Sequence, residues 1–78
     1  MNNIKNQKVI KAFGNRVRVL RLIENWSQEQ LANNADIPIS QIGRIERGEI
    51  NTTISTIFAL AKALNVPVED MIKEIRNK

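Results

Sequence analysis

Ser27-Gln28-Glu29-Gln30-Leu31-Ala32-Asn33-Asn34-Ala35-Asp36-Ile37-Pro38-Ile39-Ser40-Gln41-Ile42-Gly43-Arg44-Ile45-Glu46-Arg47-Gly48 is the stretch on which the fold turns. Ser27, followed three residues later by Gln30, has the form of a capping box, in which the two side chains satisfy orphan N–H groups of a new helix reciprocally. The pattern predicts a helix over 28–34, with Leu31, Ala32 and Ala35 as its apolar stripe. Pro38 suits the first turn of a second helix, where its missing N–H costs nothing. Gly48 suits its end, so the spacing predicts a helix over 38–47 with Ile42 and Ile45 inward. Only Ala35, Asp36 and Ile37 lie between. Two short helices joined so tightly make either a helix-turn-helix or an ordinary helical hairpin, and geometry alone leaves both open.

Working outward, Phe13, Val17 and Leu20 fall at i, i+4 and i+7 and predict a long helix over 4–25, with residues 1–3 frayed. Gly14 weakens it by about 1 kcal/mol relative to alanine. Asn25 suits the left-handed conformation that ends a helix. A second apolar row, Val9, Ala12, Val19 and Ile23, exceeds what a minimal domain needs. It suits a partner groove, a dimer face or cover for the helix itself. On the other side, Thr53 caps a helix over 54–64 whose expected inward stripe is Ile54, Ile57, Phe58, Ala61 and Leu64. A last helix over 67–76 carries Val68, Met71, Ile72 and Ile75 at i, i+3, i+4 and i+7, with Glu69 and Asp70 in its positive first turn. Trp26 reads as a core edge. The expectation is an all-α, compact five-helix fold forming a single domain over 1–78.

Composition narrows the function. With 78 residues the chain has room for one thin core. It holds neither cysteine nor histidine. That excludes a disulfide, a thiolate nucleophile, the commonest zinc ligand and the usual general base. No enzyme activity, metal or cofactor is expected. Small size without a cysteine staple suggests a cytosolic protein, and with no apolar run as long as a membrane span and no visible signal peptide, no membrane partner is expected. The net charge is +4 and the pI about 10.0. Lys5, Lys8, Lys11, Arg16, Arg18 and Arg21 all precede the first acid, Glu24. Such a basic segment favours a polyanion, although a solvated helix face is the plainer reading of the lysines.

Three blocks then resemble one family. Trp26-Ser27-Gln28-Glu29-Gln30-Leu31-Ala32 resembles the S-Q-E-E-L-A opening of Cro/repressor-type (Xre-like) helix-turn-helix domains. Ile42-Gly43-Arg44-Ile45-Glu46-Arg47-Gly48 resembles their I-S-R-I-E-R-G close, and Leu60-Ala61-Lys62-Ala63-Leu64-Asn65-Val66 is similar to the L-A-K-A-L-G-V of their fourth helix. Together they cover roughly residues 13–72. Within the family, the short length and the Arg47-Gly48-Glu49-Ile50-Asn51 stretch look most like controller proteins of restriction–modification systems. The resemblance implies a lambda-repressor-like fold and a homodimeric, sequence-specific transcriptional regulator. Such a protein binds double-stranded DNA at a two-fold operator, with the helix over 38–47 in the major groove. Departures are Asp36 for the usual turn glycine, Pro38 for a Ser or Thr cap, and Gly43, which leaves part of the reading face bare and shifts weight to DNA shape.

The same resemblance distributes roles. Ser27 and Gln28, at the start of the second helix, Arg47 at the end of the third, and Asn51, Thr52 and Thr53 in the following loop are expected on phosphates. A helix N-terminus is itself an anion site. Base-facing positions are Pro38, Ile39, Ser40, Gln41, Gly43 and Arg44. Arg44 is the one bidentate guanine reader, Ile39 either touches a thymine methyl or packs in the core, and Ser40 or Gln41 bonds an adenine or a phosphate. Arg21 and Glu46 match a buried salt bridge that belongs to the scaffold. The dimer is expected on the last helix, through Val68, Met71, Ile72 and Ile75, with help from the fourth. The competing expectation is a protein-interaction module, an antitoxin or adaptor domain, held to a protein partner.

Overall fold

The computed structural model describes residues 6–73 and 75. It contains α1 (Gln7–Ile23), α2 (Gln28–Ala35), α3 (Ile39–Glu46), α4 (Ile54–Leu64) and α5 (Val68–Ile72), with no strand among the described residues. Each start has a local cause. The Asn6 side chain accepts the Val9 N–H at 3.1 Å and sets the beginning of α1. α1 therefore runs from Gln7; the start expected at residues 4 and 5 lies outside the described residues. Ser27 and Gln30 form the complete capping box of α2, and Thr53 accepts the Thr56 N–H to start α4. Pro38 and Pro67 stand one position outside α3 and α5, as N-caps without a side-chain bond.

Asn25, Asp36 and Asn65 all take the left-handed conformation, with φ of 61°, 58° and 58°. Asn and Asp reach this region more readily than other side chains, and here they turn the chain after α1, α2 and α4.

The core is a single cluster in which Val17, Leu31, Ile42, Ile45, Leu60 and Met71 are the large side chains wholly cut off from solvent. Gly14 acquires a reason in this packing. A Cβ on it would collide with the Ile45 carbonyl oxygen and lie 3.0 Å from that of Glu46. A glycine that weakens α1 locally thus permits α1 and α3 to touch backbone to backbone.

Two apolar stripes differ from expectation. In α4 the buried positions are Leu60, Ala61 and Leu64, with Ile57 partly buried against them. Ile54 is 74% exposed and Phe58 56%. Apolar residues surround so much of this helix that a period of 3.6 fits more than one face. In α5 the helix stops at Ile72, because Lys73 is extended (φ −61°, ψ 134°). Ile75 lies beyond the helix, and positions 74 and 76 lie outside the described residues. Met71 is fully buried in the core of the chain itself, which removes it from the expected dimer surface. Val68 and Ile75 also pack partly against the core, and Ile72 alone of the four is largely exposed, at 51%. Arg16 fastens this short element to α1, its Nε donating to the Asp70 carbonyl at 2.7 Å.

Candidate nucleic-acid interface

The geometry of α2 and α3 rests on one buried charge cluster. Arg21, on α1, donates from Nε to Glu46 Oε2 at 2.7 Å and from a second nitrogen to Oε1 at 3.0 Å. Its remaining terminal nitrogen donates to the Trp26 carbonyl at 2.7 Å. Glu46, on α3, also accepts from Gln28 Nε2 at 3.1 Å. The side chains of Arg21 and Glu46 are only 10% and 3% exposed. Two parallel N–H···O bonds suit a guanidinium and a carboxylate, and the extra bonds answer the donors and acceptors left over. The cluster therefore ties the end of α1, the start of α2 and the end of α3 together. Arg21 and Glu46 meet as the resemblance implied, and Gln28 proves to be their neighbour.

Between the two helices, left-handed Asp36 reverses the chain and the Ile37 N–H donates to the Ala32 carbonyl at 3.0 Å. This compact turn sets α3 against α2 with Ile42 and Ile45 inward. The opposite side of α3 presents Ile39, half exposed, together with exposed Ser40 and Arg44 and half-buried Gln41. Ile39 is thus a surface residue and not part of the buried core. Gly43 is different. It is buried, and a Cβ on it would lie 3.0 Å from a terminal nitrogen of Arg47 and 3.7 Å from Gln28 Oε1. Gly43 is therefore removed from the base-facing set: its missing side chain lets Arg47 and Gln28 lie close over α3.

The end of α3 is closed by two backbone bonds, Gly48 N–H to the Ile45 carbonyl at 3.0 Å and Glu49 N–H to the Arg44 carbonyl at 2.9 Å. Gly48 is left-handed (φ 72°), the arrangement of a Schellman motif. It also abuts α1, since a Cβ there would sit 2.6 Å from Lys11 Cγ. In the sequence Lys11 is one of six early cations; its position beside this loop is a tertiary fact with no local signal. Glu49 accepts from Arg47 at 2.8 and 3.3 Å, and its Oε1 lies 3.9 Å from Arg44 Nε. The hydrogen bond from Arg47 holds the Glu49 carboxyl below its usual range, with Arg47, Arg44 and Lys11 adding attraction, and raises Arg47 in turn.

In the following loop Asn51 is exposed and Thr52 half buried. The Thr53 hydroxyl accepts the Thr56 N–H at 3.2 Å and donates to the Thr56 hydroxyl at 3.0 Å, so it serves α4 first. Ser27 likewise caps α2, with its own N–H on Gln30 Oε1 at 2.7 Å. Guanidinium, carboxamide and hydroxyl donors thus lie on α3, at the start of α2 and in the loop that follows α3. Among the described residues no group of acids could hold a metal ion, and no helix is long and apolar enough to cross a membrane.

Two short helices joined by a tight turn, the second held by its inner face and offering arginine from its outer one, have the form of a helix-turn-helix. The helix-turn-helix family matches residues 17–71, so this chain belongs to that family, in its Xre-like, DNA-binding branch. It is 48% identical over 56 residues to the control protein C.SmaI of Serratia marcescens, covering 72% of this chain and 67% of that protein. It is 41% identical over 61 residues to the control protein C.BamHI of Bacillus amyloliquefaciens, covering 77% and 75%. The crystal structure of the restriction-modification controller protein C.AhdI from Aeromonas hydrophila superposes with a TM-score of 0.76 at 36% identity, covering 81% of this chain and 94% of that one. These relatives are named as regulators and not as enzymes.

Proposed function

We propose that the protein is a sequence-specific transcriptional regulator that binds a two-fold DNA operator as a homodimer, as a restriction–modification controller would. One observation carries this reading: α3 buries Ile42 and Ile45 while turning Ile39, Ser40 and Arg44 outward. Arg44 reads guanine, Ile39 meets a thymine methyl, and Ser40 or Gln41 bonds an adenine edge. Gln28, through its second amide N–H, takes a phosphate together with Arg47, Asn51 and Thr52, while Ser27 and Thr53 bring their helix starts to the backbone. The likeness to two control proteins supports the regulatory assignment. A DNA ligand supports the cytoplasm as the compartment in which the protein acts.

The homodimer rests on exposed apolar surface. Ile54 and Phe58, one turn apart on α4, and Ile72 on α5 are large side chains in water. Exposed apolar residues of this size suit a second copy of the chain. The interface proposed therefore moves from Met71 to Ile54, Phe58 and Ile72. A second reading, a module for another protein, is favoured by Val19, Leu22 and Ile23, which α1 leaves exposed.

Selection from a random duplex pool with the purified chain tests the proposal. The expected product is a pseudo-palindrome whose half-sites lie about one helical turn, roughly 34 Å, apart. A pool without enrichment, combined with a stoichiometric co-purifying protein, would favour the second reading.

A further inference from the structure

We propose that Glu49 sets the DNA affinity of this protein by competing with the DNA for Arg44 and Arg47. The inference rests on α3 being the DNA-facing helix. The Glu49 carboxylate takes Arg47 by two bonds, 2.8 Å from Nε and 3.3 Å from a terminal nitrogen. That is the same two-point geometry by which a guanidinium takes a phosphate. One of its oxygens also lies 3.9 Å from Arg44 Nε. A single acid thus sits between the arginine assigned to bases and the arginine assigned to the backbone.

Its position is not that of a swinging side chain on a loose loop. The Glu49 N–H is bonded to the Arg44 carbonyl at 2.9 Å, in the closure of α3. The preceding residue, Gly48, is wedged against Lys11. The backbone therefore delivers the carboxylate to the edge of α3. The pair remains open to water, with side-chain exposures of 59% for Arg47 and 47% for Glu49. An exposed pair is weak, so a phosphate can replace the carboxylate. Replacement then leaves an anion facing a polyanion. Both effects lower affinity for every duplex, whatever its sequence, and raise the protein concentration at which a site fills.

Glu49→Gln keeps the side chain's size and removes its charge. Binding to a random-sequence duplex and to a duplex enriched by selection is measured from 50 to 200 mM salt for the wild type, Glu49→Gln, Arg47→Ala and the double variant. Glu49→Gln should tighten both duplexes by at least about threefold and steepen the salt slope by roughly one per protomer. The gain should shrink in the Arg47→Ala background, where one of the contested cations is gone. Unchanged or weaker binding by Glu49→Gln overturns the inference. So does an equal gain in both backgrounds, which would mean simple repulsion through space. A loss confined to the enriched duplex would make Glu49 a base reader and also overturn it. Failure of the wild type to bind either duplex would remove the DNA-facing reading of α3 and this inference with it. That failure shows in the wild type alone, whereas failure of the inference shows only in the comparison.

Discussion

Arg44 and Arg47 lie three positions apart and carry the same charge, yet their neighbours differ. Arg44 extends from the exposed side of α3, while Arg47 closes the helix and passes over Gly43 towards Gln28. Arg44→Ala should therefore cost about 1–3 kcal/mol per base contact and relax preference at one position in each half-site. Arg47→Ala should weaken all sequences alike and reduce the salt slope by about one per protomer. Titrations over single-base operator variants decide the matter; the opposite pattern would exchange the two roles. At Glu46 the consequence is structural. Glu46→Ala leaves the buried Arg21 guanidinium without its carboxylate, and the fold should lose about 3–5 kcal/mol. A urea midpoint within experimental error of the wild type would show that water reaches Arg21 and replaces the acid.

At the scale of elements, the helix ends follow local chemistry and the helix contacts do not. The capping box of Ser27 and Gln30 and the cap at Thr53 involve neighbours three residues apart, so they were legible in the sequence and formed as read. The role of Gly14 could not be read this way. In isolation α1 would gain from alanine there, by about 1 kcal/mol. In the folded protein the new methyl group would meet the backbone of α3. Gly14→Ala should therefore destabilise the protein by about 1–3 kcal/mol despite raising helix propensity. Thermal unfolding measures the sign, and a raised midpoint would show that α1 and α3 can separate without loss. Gly43 gives the parallel case on α3. Its absent side chain looked like a gap in a reading face, and the gap is filled from within by Arg47 and Gln28.

For the whole molecule, the question is which apolar surface belongs to the protomer and which to an assembly. The α5 spacing placed Val68, Met71, Ile72 and Ile75 together, but it could not say that Met71 points into the core and Ile72 away from it. The two substitutions should accordingly part company. Met71→Glu buries an unpaired carboxylate and should unfold the chain at neutral pH. Ile72→Glu or Phe58→Glu should leave a folded protomer that sediments as a monomer and binds DNA weakly. Circular dichroism together with sedimentation separates these outcomes. A folded, monomeric Met71→Glu variant would return that residue to the interface. Salt provides a second test of the assembly, because a dimer neutralising six or more phosphates should lose roughly three decades of affinity between 50 and 200 mM. A flat response would argue for a protein partner.

The sequence by itself determined the helices, their order, the tight turn between α2 and α3 and the family. The helices and the turn depend on side chains acting within a few residues of one another, through caps, breakers and a repeating apolar spacing, while the family was legible in three blocks resembling its members. Through the family resemblance it also anticipated the partnership of Arg21 and Glu46. The tertiary structure decided matters that depend on which face of a helix meets which neighbour. It put Met71 inside and Ile54 and Phe58 outside, and set Gly14 against α3 and Gly48 against Lys11. The physical reason is that a 3.6-residue period defines a stripe only when apolar residues are confined to one. On α4 they are not, and on α5 the one stripe is wider than the surface it covers, so Met71 is buried and Ile72 exposed; in both the choice was made by the packing of the other helices.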